Sequence, residues 1–249
     1  MSRSGLAPPL PCVRCPLRPL HGFKKLREGE LAFIARRKVG QRNLPAGSSV
    51  LEEGEPADYV FTLLSGWAFR FKTLADGRRQ IMSFLLPGDI IGLQAELLAA
   101  ATHGVEAITD VSLCAFARDT VPSVYRVHPA LALDITWLSA HGERMVDDAM
   151  LSVGRRTATE SIAALFVHLF RRAEIAGLRE GDSVPWPLTQ THIADALGLS
   201  VVHTNRTIQR LRRMGLIRSA NGRLSIGDLR ALRRIAEYWD QPAAVRPLF

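Results

Sequence analysis

The sequence predicts an α+β chain: an N-terminal barrel or jelly roll (a β-roll), then a long helix, then a C-terminal winged helix-turn-helix. Three observations predict it. Short strand-like runs with turn signals occupy about residues 49–117. An uninterrupted helical pattern follows over about 129–153, and a helix–glycine–helix pair followed by an Asn-Gly hairpin lies near the end. A length of 249 residues suffices for two cores, and a hydrophobic content of 47% with 22% charged residues is that of a soluble globular protein. No apolar run reaches membrane-spanning length and the start has no signal-peptide pattern, so a cytoplasmic protein with no membrane partner is expected.

The expected divisions are an arm at 1–22, a β-roll at 23–120, a dimerisation helix at 121–154 and a DNA-binding domain at 155–249. The arm is rich in Pro and Arg and carries Cys12 and Cys15; it is expected to stand apart from the core. A short helix near 27–38 should turn Leu31 and Ile34 inward. Strands are expected at Tyr59–Leu64, Trp67–Thr73, Ile81–Leu86 and Val111–Phe116, with an Asp76-Gly77 hairpin turn and a Pro87-Gly88-Asp89 turn between them. In the long helix Leu131, Ile135, Leu138, Gly142, Met145 and Ala149 recur at steps of three and four, the period of a coiled-coil seam. That seam suits a homodimer; a helix packed on its own barrel is the competing reading. Thr157-Ala-Thr-Glu160 is a capping box that opens another helix, with Ile162, Leu165, Phe166 and Leu169 as its core face and Gly177 as its end.

The reader lies at 188–211. Ile193, Ala194 and Leu197 form one face of a short helix, Gly198 can take the positive φ that ends it, and Ser200 can cap the next. That second helix buries Ile208 and Leu211 and presents Val202, His203, Asn205, Arg206, Gln209 and Arg210. A polar, arginine-bearing helix after a glycine turn is the arrangement that enters a DNA major groove. Arg206 can be bidentate to guanine, Asn205 can pair with an adenine edge, and Val202 can pack on a thymine methyl. His203, Thr204, Arg210 and Arg213 are candidate phosphate contacts, although Thr204 could instead face inward. Asn221-Gly222 between two short strands would make the wing, and Asp228 would cap a last helix running to about Trp239. Residues 155–249 hold 15 Arg, no Lys and 8 acidic residues, a net +7 of the chain's +8. Such localised basicity suits double-stranded DNA.

β-roll, long helix and winged helix-turn-helix, in that order, resemble the Crp–Fnr family of bacterial transcription regulators. The resemblance rests on Gly54-Glu55, Ser65-Gly66, Leu86-Pro-Gly88-Asp89-Ile-Ile-Gly92 and the reader. It implies a cyclic-nucleotide-binding-like jelly roll, a homodimer, sensing in the roll, transmission through the long helix, and RNA polymerase as a further partner. Two departures matter. Cyclic-AMP-binding members resemble each other in a Gly-Glu pair after the Gly-Asp turn and an Arg-Ser pair about ten residues on. Here Gly92 is followed by Leu93-Gln94, the later stretch is Thr102-His-Gly-Val-Glu106, and no arginine lies between Arg79 and Arg118. A buried phosphate without a cation is costly, so no cyclic AMP binding is expected. Many members also carry a glutamate where this chain has Val202, which implies an operator unlike the family's usual half-site.

Iron–sulfur members of the family use cysteines spaced C-x2-C-x5-C near the N-terminus plus a distant one. By that resemblance Cys12, Cys15, His21 and Cys114 are candidate ligands for an iron–sulfur cluster or a tetrahedral zinc, with histidine in a cysteine's place. A dithiol switch, no cofactor at all, and haem held by His103, His128 or His141 are the alternatives. The competing functions are a metal or redox enzyme on a β-barrel, for which no nucleophile elbow, phosphate loop or HExxH exists, and non-specific DNA binding.

Overall fold

The computed structural model describes residues 5–238 and 245–249. The described residues divide into two compact units. The first comprises residues up to 71, 85–143 and 245–249; the second comprises 72–84 and 144–244. The long helix is therefore shared by both, whereas the sequence placed a boundary near Gly154.

In chain order, and in the first unit except for the end of β4, most of β5 and the C-terminal part of α4, a short 3-10 turn, Cys12–Arg14, precedes helix α1 (Glu28–Arg37). Strands β1 (Lys38–Leu44), β2 (Ser49–Leu51), β3 (Tyr59–Ser65), β4 (Ala68–Thr73), β5 (Arg79–Leu85) and β6 (Ile90–Ile91) follow. Then come α2 (Leu93–Leu98), β7 (Gly104–Ala107), β8 (Val111–Ala117), α3 (Thr120–Val127) and α4 (Pro129–Gly154). The strands form two sheets, ordered β1-β8-β3-β6 and β2-β7-β4-β5. The paired ladders of the first sheet are antiparallel, with Gln41 and Thr62 opposite Cys114.

Strand alternation assigns the side chains of the first sheet to two cores. Phe61, Leu63, Leu113 and Ala115 enter the core of the roll, with Val50, Leu51 and Val105. Val60, Leu64, Cys114 and Phe116 face the other way and are covered by Leu17, Phe23, Phe33, Ile34, Val121 and Val124. The residues expected to form a free arm thus close the outer core: Leu17 and Phe23 are buried, and the Phe23 ring lies where a Cβ on Gly88 would be. In α1 Phe33 joins Ile34 inside, and Leu31 is only half-buried.

The expected seam of α4 is corrected. Leu131, Ile135 and Leu138 are buried in the outer core, and Met145 is buried as well. Those apolar positions serve the chain's own packing. Leu133 and Met150, each at least 70% exposed, and Leu151 and Val153, about half exposed, are large apolar side chains that α4 leaves outside, and a Cβ at Gly142 would meet nothing within 4 Å.

In the second unit α5 (Ala158–Ile175), capped by Thr157, carries the buried face Ile162, Phe166 and Leu169, while Leu165 is half-buried. Strand β9 (Ser183–Pro185), α6 (Gln190–Leu197), α7 (Val201–Arg213), the hairpin β10 (Ile217–Ala220) and β11 (Arg223–Ile226), and α8 (Leu229–Ile235) complete it. Asp228 caps α8, which ends at Ile235, and Glu237 takes a positive φ of 47°, so the helix stops short of the extension expected to about Trp239, a residue outside the described ones. Asn221 and Gly222 both have positive φ (51° and 68°), the geometry of a tight type I′ hairpin. The three strands pair in the order β10-β11-β9.

Gly66, at φ +87°, tests the packing of the roll. A Cβ there would lie 2.2 Å from the Asp110 carbonyl oxygen, whereas one at Gly77 (φ +85°) would meet nothing. Gly66→Ala should lower stability by about 2–4 kcal/mol, and Gly77→Ala by about 1 kcal/mol from its left-handed backbone alone. Thermal melts of the two variants compare them; equal losses would refute the close approach at Gly66.

Candidate nucleic-acid interface and cysteine cavity

The reader is built from two capped helices and one left-handed glycine. Thr189 accepts a hydrogen bond from the His192 backbone N–H at 3.1 Å, and the His192 ring accepts from the Thr189 N–H at 3.3 Å. This reciprocal pair closes the first turn of α6. Gly198 ends α6 at φ 66°, and Ser200 accepts from the His203 N–H at 3.2 Å to start α7. Ile193, Ala194, Leu197, Ile208 and Leu211 are buried, and Trp186 packs edge-on against Phe166 at 4.7 Å.

Burial of one face of α7 sets what the other presents. Val202 is 60% exposed, and His203, Asn205, Arg206, Gln209, Arg210 and Arg213 are all exposed. An exposed valine in the first turn of a polar helix leaves a methyl surface free to meet another apolar group. Thr204 departs from its expected role. It is fully buried, one turn before Ile208 on the inner face, and cannot reach a phosphate. Gln190, which the sequence reading passed over, donates to the Asn205 side-chain carbonyl at 3.2 Å and so orients an amide expected to read a base. Its position directly after the Thr189 cap was the available clue. Arg218 on the wing is exposed and pairs with Asp182 at 3.9 Å. Arg223 is tied to Ser183 and Glu180.

The tip of the β4–β5 hairpin belongs to this same unit. Arg79 pairs with Asp195 on α6 at 3.1 Å, and the Gln80 side chain donates to the Ala196 carbonyl at 3.1 Å. Partial burial, and secondarily Arg79, hold the His192 imidazole below its ordinary pKa, with Asp195 opposing.

The cysteines meet around one small cavity of the first unit, lined by Cys12, Cys15, Lys38, Cys114, Phe116 and Phe249 among others. Cys12 and Cys15 are half-buried and Cys114 is buried. Burial pushes the Cys114 thiol up to about 12, and the nearby Lys38 ammonium offsets only part of this. His21 does not join them: it is exposed and does not line the cavity. Among the described residues no group of three or more His, Cys, Asp and Glu side chains is disposed to hold a metal ion. The expected four-ligand set for a cluster or zinc is therefore not assembled. Of the histidines considered for haem, His128 packs its ring on Phe33 at 4.3 Å and His141 stacks on Trp137 at 4.9 Å, while His103 is buried beside Thr102. Among the described residues no helix is long and apolar enough to cross a membrane.

A β-roll joined to a winged helix-turn-helix with a polar exposed recognition face defines a DNA-binding regulator. Residues 41–128 match the cyclic nucleotide-binding domain family, and residues 160–235 match the Crp-like helix-turn-helix domain family. The chain is 31% identical over 209 residues to the transcriptional activator protein FnrL of Cereibacter sphaeroides, covering 83% of each. It is 32% identical over 218 residues to the nitrogen fixation regulation protein FixK of Bradyrhizobium diazoefficiens, covering 87% of this chain and 90% of that one. Its fold is similar to the solved structure of FixK2 from Bradyrhizobium japonicum, with a TM-score of 0.70, 28% identity, and coverage of 82% of this chain and 98% of that one. The chain belongs to the Crp–Fnr family of transcription regulators, in its Fnr-like branch.

The depressed His192 pKa gives a pH prediction. A group that prefers to be neutral in the folded state contributes its full stability above the ordinary imidazole pKa. That contribution is lost as pH falls through the lowered value. Urea melts of the second unit's transition should show stability falling from about pH 7 to about pH 5. His192→Gln, which keeps a capping acceptor, should flatten that fall; an unchanged slope would clear His192 of the effect.

Proposed function

We propose that this protein is a homodimeric, sequence-specific regulator of transcription, with α7 reading base edges in the major groove and the N-terminal unit receiving its signal. The observation that carries the reading is the exposed row Val202, Asn205, Arg206 and Gln209 on a helix whose opposite face is fully buried. Arg206 is the guanine reader, Asn205, steadied by Gln190, the adenine reader, and Val202 the thymine-methyl contact. In this reading the exposed His203, Arg210, Arg213 and the wing's Arg218 meet phosphates, which fix register without choosing sequence. Two copies would read a two-fold repeat with half-sites about one helical turn apart. The partner surface of α4 is taken to be the side bearing Leu133 and Ala140, two exposed residues seven apart and so on one face of the helix. By resemblance, RNA polymerase is the downstream partner.

Relatives include the anaerobic regulatory protein of Pasteurella multocida and the activator anr of Pseudomonas aeruginosa, which favours a redox or oxygen-linked signal here too. We assign that input to the half-buried thiols of the arm, Cys12 and Cys15, rather than to a four-ligand metal site. An enzyme built on the roll draws no support from the thiol cavity, whose buried cysteine is held as an unreactive thiol.

Arg206→Ala should cost about 1–3 kcal/mol on the selected operator and much less on random duplex. Operator selection from a random pool followed by titration at fixed salt checks this, and the same titration should saturate at two chains per two-fold site. An equal loss on both DNAs would favour non-specific binding.

The roll is expected to leave cyclic AMP unbound. Gln94 and Thr102 contact each other at 3.3 Å in the segments where nucleotide-binding members place Glu and Arg-Ser. Added cyclic AMP should not shift the melting temperature, even at about millimolar concentration, where a ligand of micromolar affinity would stabilise by about 4 kcal/mol. A rise of several degrees would overturn this expectation.

A further inference from the structure

We propose that the face of the first sheet beneath the arm is a peptide-binding site, and that its ligand is the chain's own segment Arg246-Pro-Leu-Phe249, held in cis as a displaceable anchor. This segment follows α8, the last described helix of the reader unit, yet belongs to the first unit. Its contacts are those by which an extended peptide is recognised: main-chain pairing for affinity and side-chain seats for specificity. The Arg246 N–H donates to the Gly22 carbonyl at 2.9 Å, and the Lys24 N–H donates to the Arg246 carbonyl at 2.7 Å, a short parallel pairing with the arm. The Arg246 guanidinium pairs with Asp89, whose side chain is 3% exposed. Leu248 and Phe249 are 5% exposed, the Phe249 ring lies 5.2 Å from that of Phe116, and the Thr62 hydroxyl donates to the Phe249 carbonyl.

Two features make the segment displaceable. Asp89 also accepts from the Leu86 N–H at 2.7 Å, so its carboxylate keeps a partner when Arg246 leaves. The main-chain part is short as well, two hydrogen bonds that pair Arg246 with Gly22 and Lys24. A third feature ties the site to the thiols. Phe249 and Leu248 line the same cavity as Cys12, Cys15 and Cys114, so bulk or charge added at a thiol competes directly with the Phe249 seat. We take occupancy of this site as an input to the reader, which lies in the same chain. That consequence rests on the DNA-binding reading above; the site itself does not.

The experiment uses the full chain, its Arg246→Gln and Phe249→Ala variants, and a synthetic peptide containing Arg-Pro-Leu-Phe at its C-terminal end. Hydrogen exchange should be about tenfold faster at the Lys24 and Arg246 amides of either variant, and Cys12 and Cys15 should label faster with a maleimide. The added peptide should restore slow exchange in Phe249→Ala. Operator affinity of the variants should change by about fivefold or more with the recognition helix unaltered. Unchanged exchange and labelling would overturn the site, and failure of the peptide to restore protection would make the segment ordinary core. Release without any change in operator affinity would overturn its link to the reader. If the unaltered chain selects no operator, the DNA-binding reading fails while exchange and rescue still judge the site. Where Phe249→Ala does not fold, Phe249→Leu takes its place in every arm.

Discussion

The reader depends on the burial of one face of α7. Thr204 and Leu211 are wholly buried, with Thr207 and Ile208 between them, so the rotation of this helix about its axis is fixed by packing against α5 and α6. A rotation of one residue, about 100°, would expose leucine and submerge arginine. The chemistry of recognition is therefore set by residues that never touch DNA. The wing obeys the same logic, since Leu224 is buried opposite Val184 and the strand alternation turns Arg218 to solvent.

How much of this was legible in the sequence depended on whether the cause was local. Gly198, Ser200, Thr157 and Asn221-Gly222 act through turn and cap geometry within a few residues, and each element they bound was readable. Thr204 was readable too: it lies four before Ile208 and seven before Leu211, so helical phase alone places it inside. The strands β1, β2, β6 and β7 were not foreseen, because they are short or polar (Lys-Val-Gly-Gln-Arg-Asn-Leu in β1) and owe their state to pairing with distant partners. The seam of α4 failed for a different reason. Leucines at steps of three and four mark a buried stripe, but the period is the same whether the cover is a second copy or, as for Leu131, Ile135 and Leu138, Phe33 and Val124 of the same chain.

The cysteines show the same division. Alternation along β8 puts Leu113 and Ala115 in the inner core, so Cys114 must face the other side, toward Cys12 and Cys15. That much follows from a period of two. The path of the arm does not, and it decides the chemistry: the backbone passes under α1 with Leu17 and Phe23 inward and leaves His21 in solvent. Three sulfurs near an ammonium, one of them deeply buried, form a setting in which the half-exposed pair meets reagents first and the third is screened by packing.

Two further sets of contacts stand out, one within each unit. One is polar and local: Arg79 and Gln80 grip α6 at Asp195 and at the Ala196 carbonyl, just before the Gly198 turn. Because Gly198 is the pivot between the two helices, a shift of that hairpin tip would be felt first as a change in the angle between α6 and α7. The other is the chain beyond α8, whose continuation is seated against Phe116, Thr62 and Asp89. Its strength is apolar and ionic at once, since releasing it exposes Leu248 and Phe249 and parts a nearly dry ion pair. A signal that altered only the hairpin would leave this second set in place. Cys12, Cys15 and Cys114 share their cavity wall with Leu248 and Phe249, so a change at a thiol is met first by these two side chains.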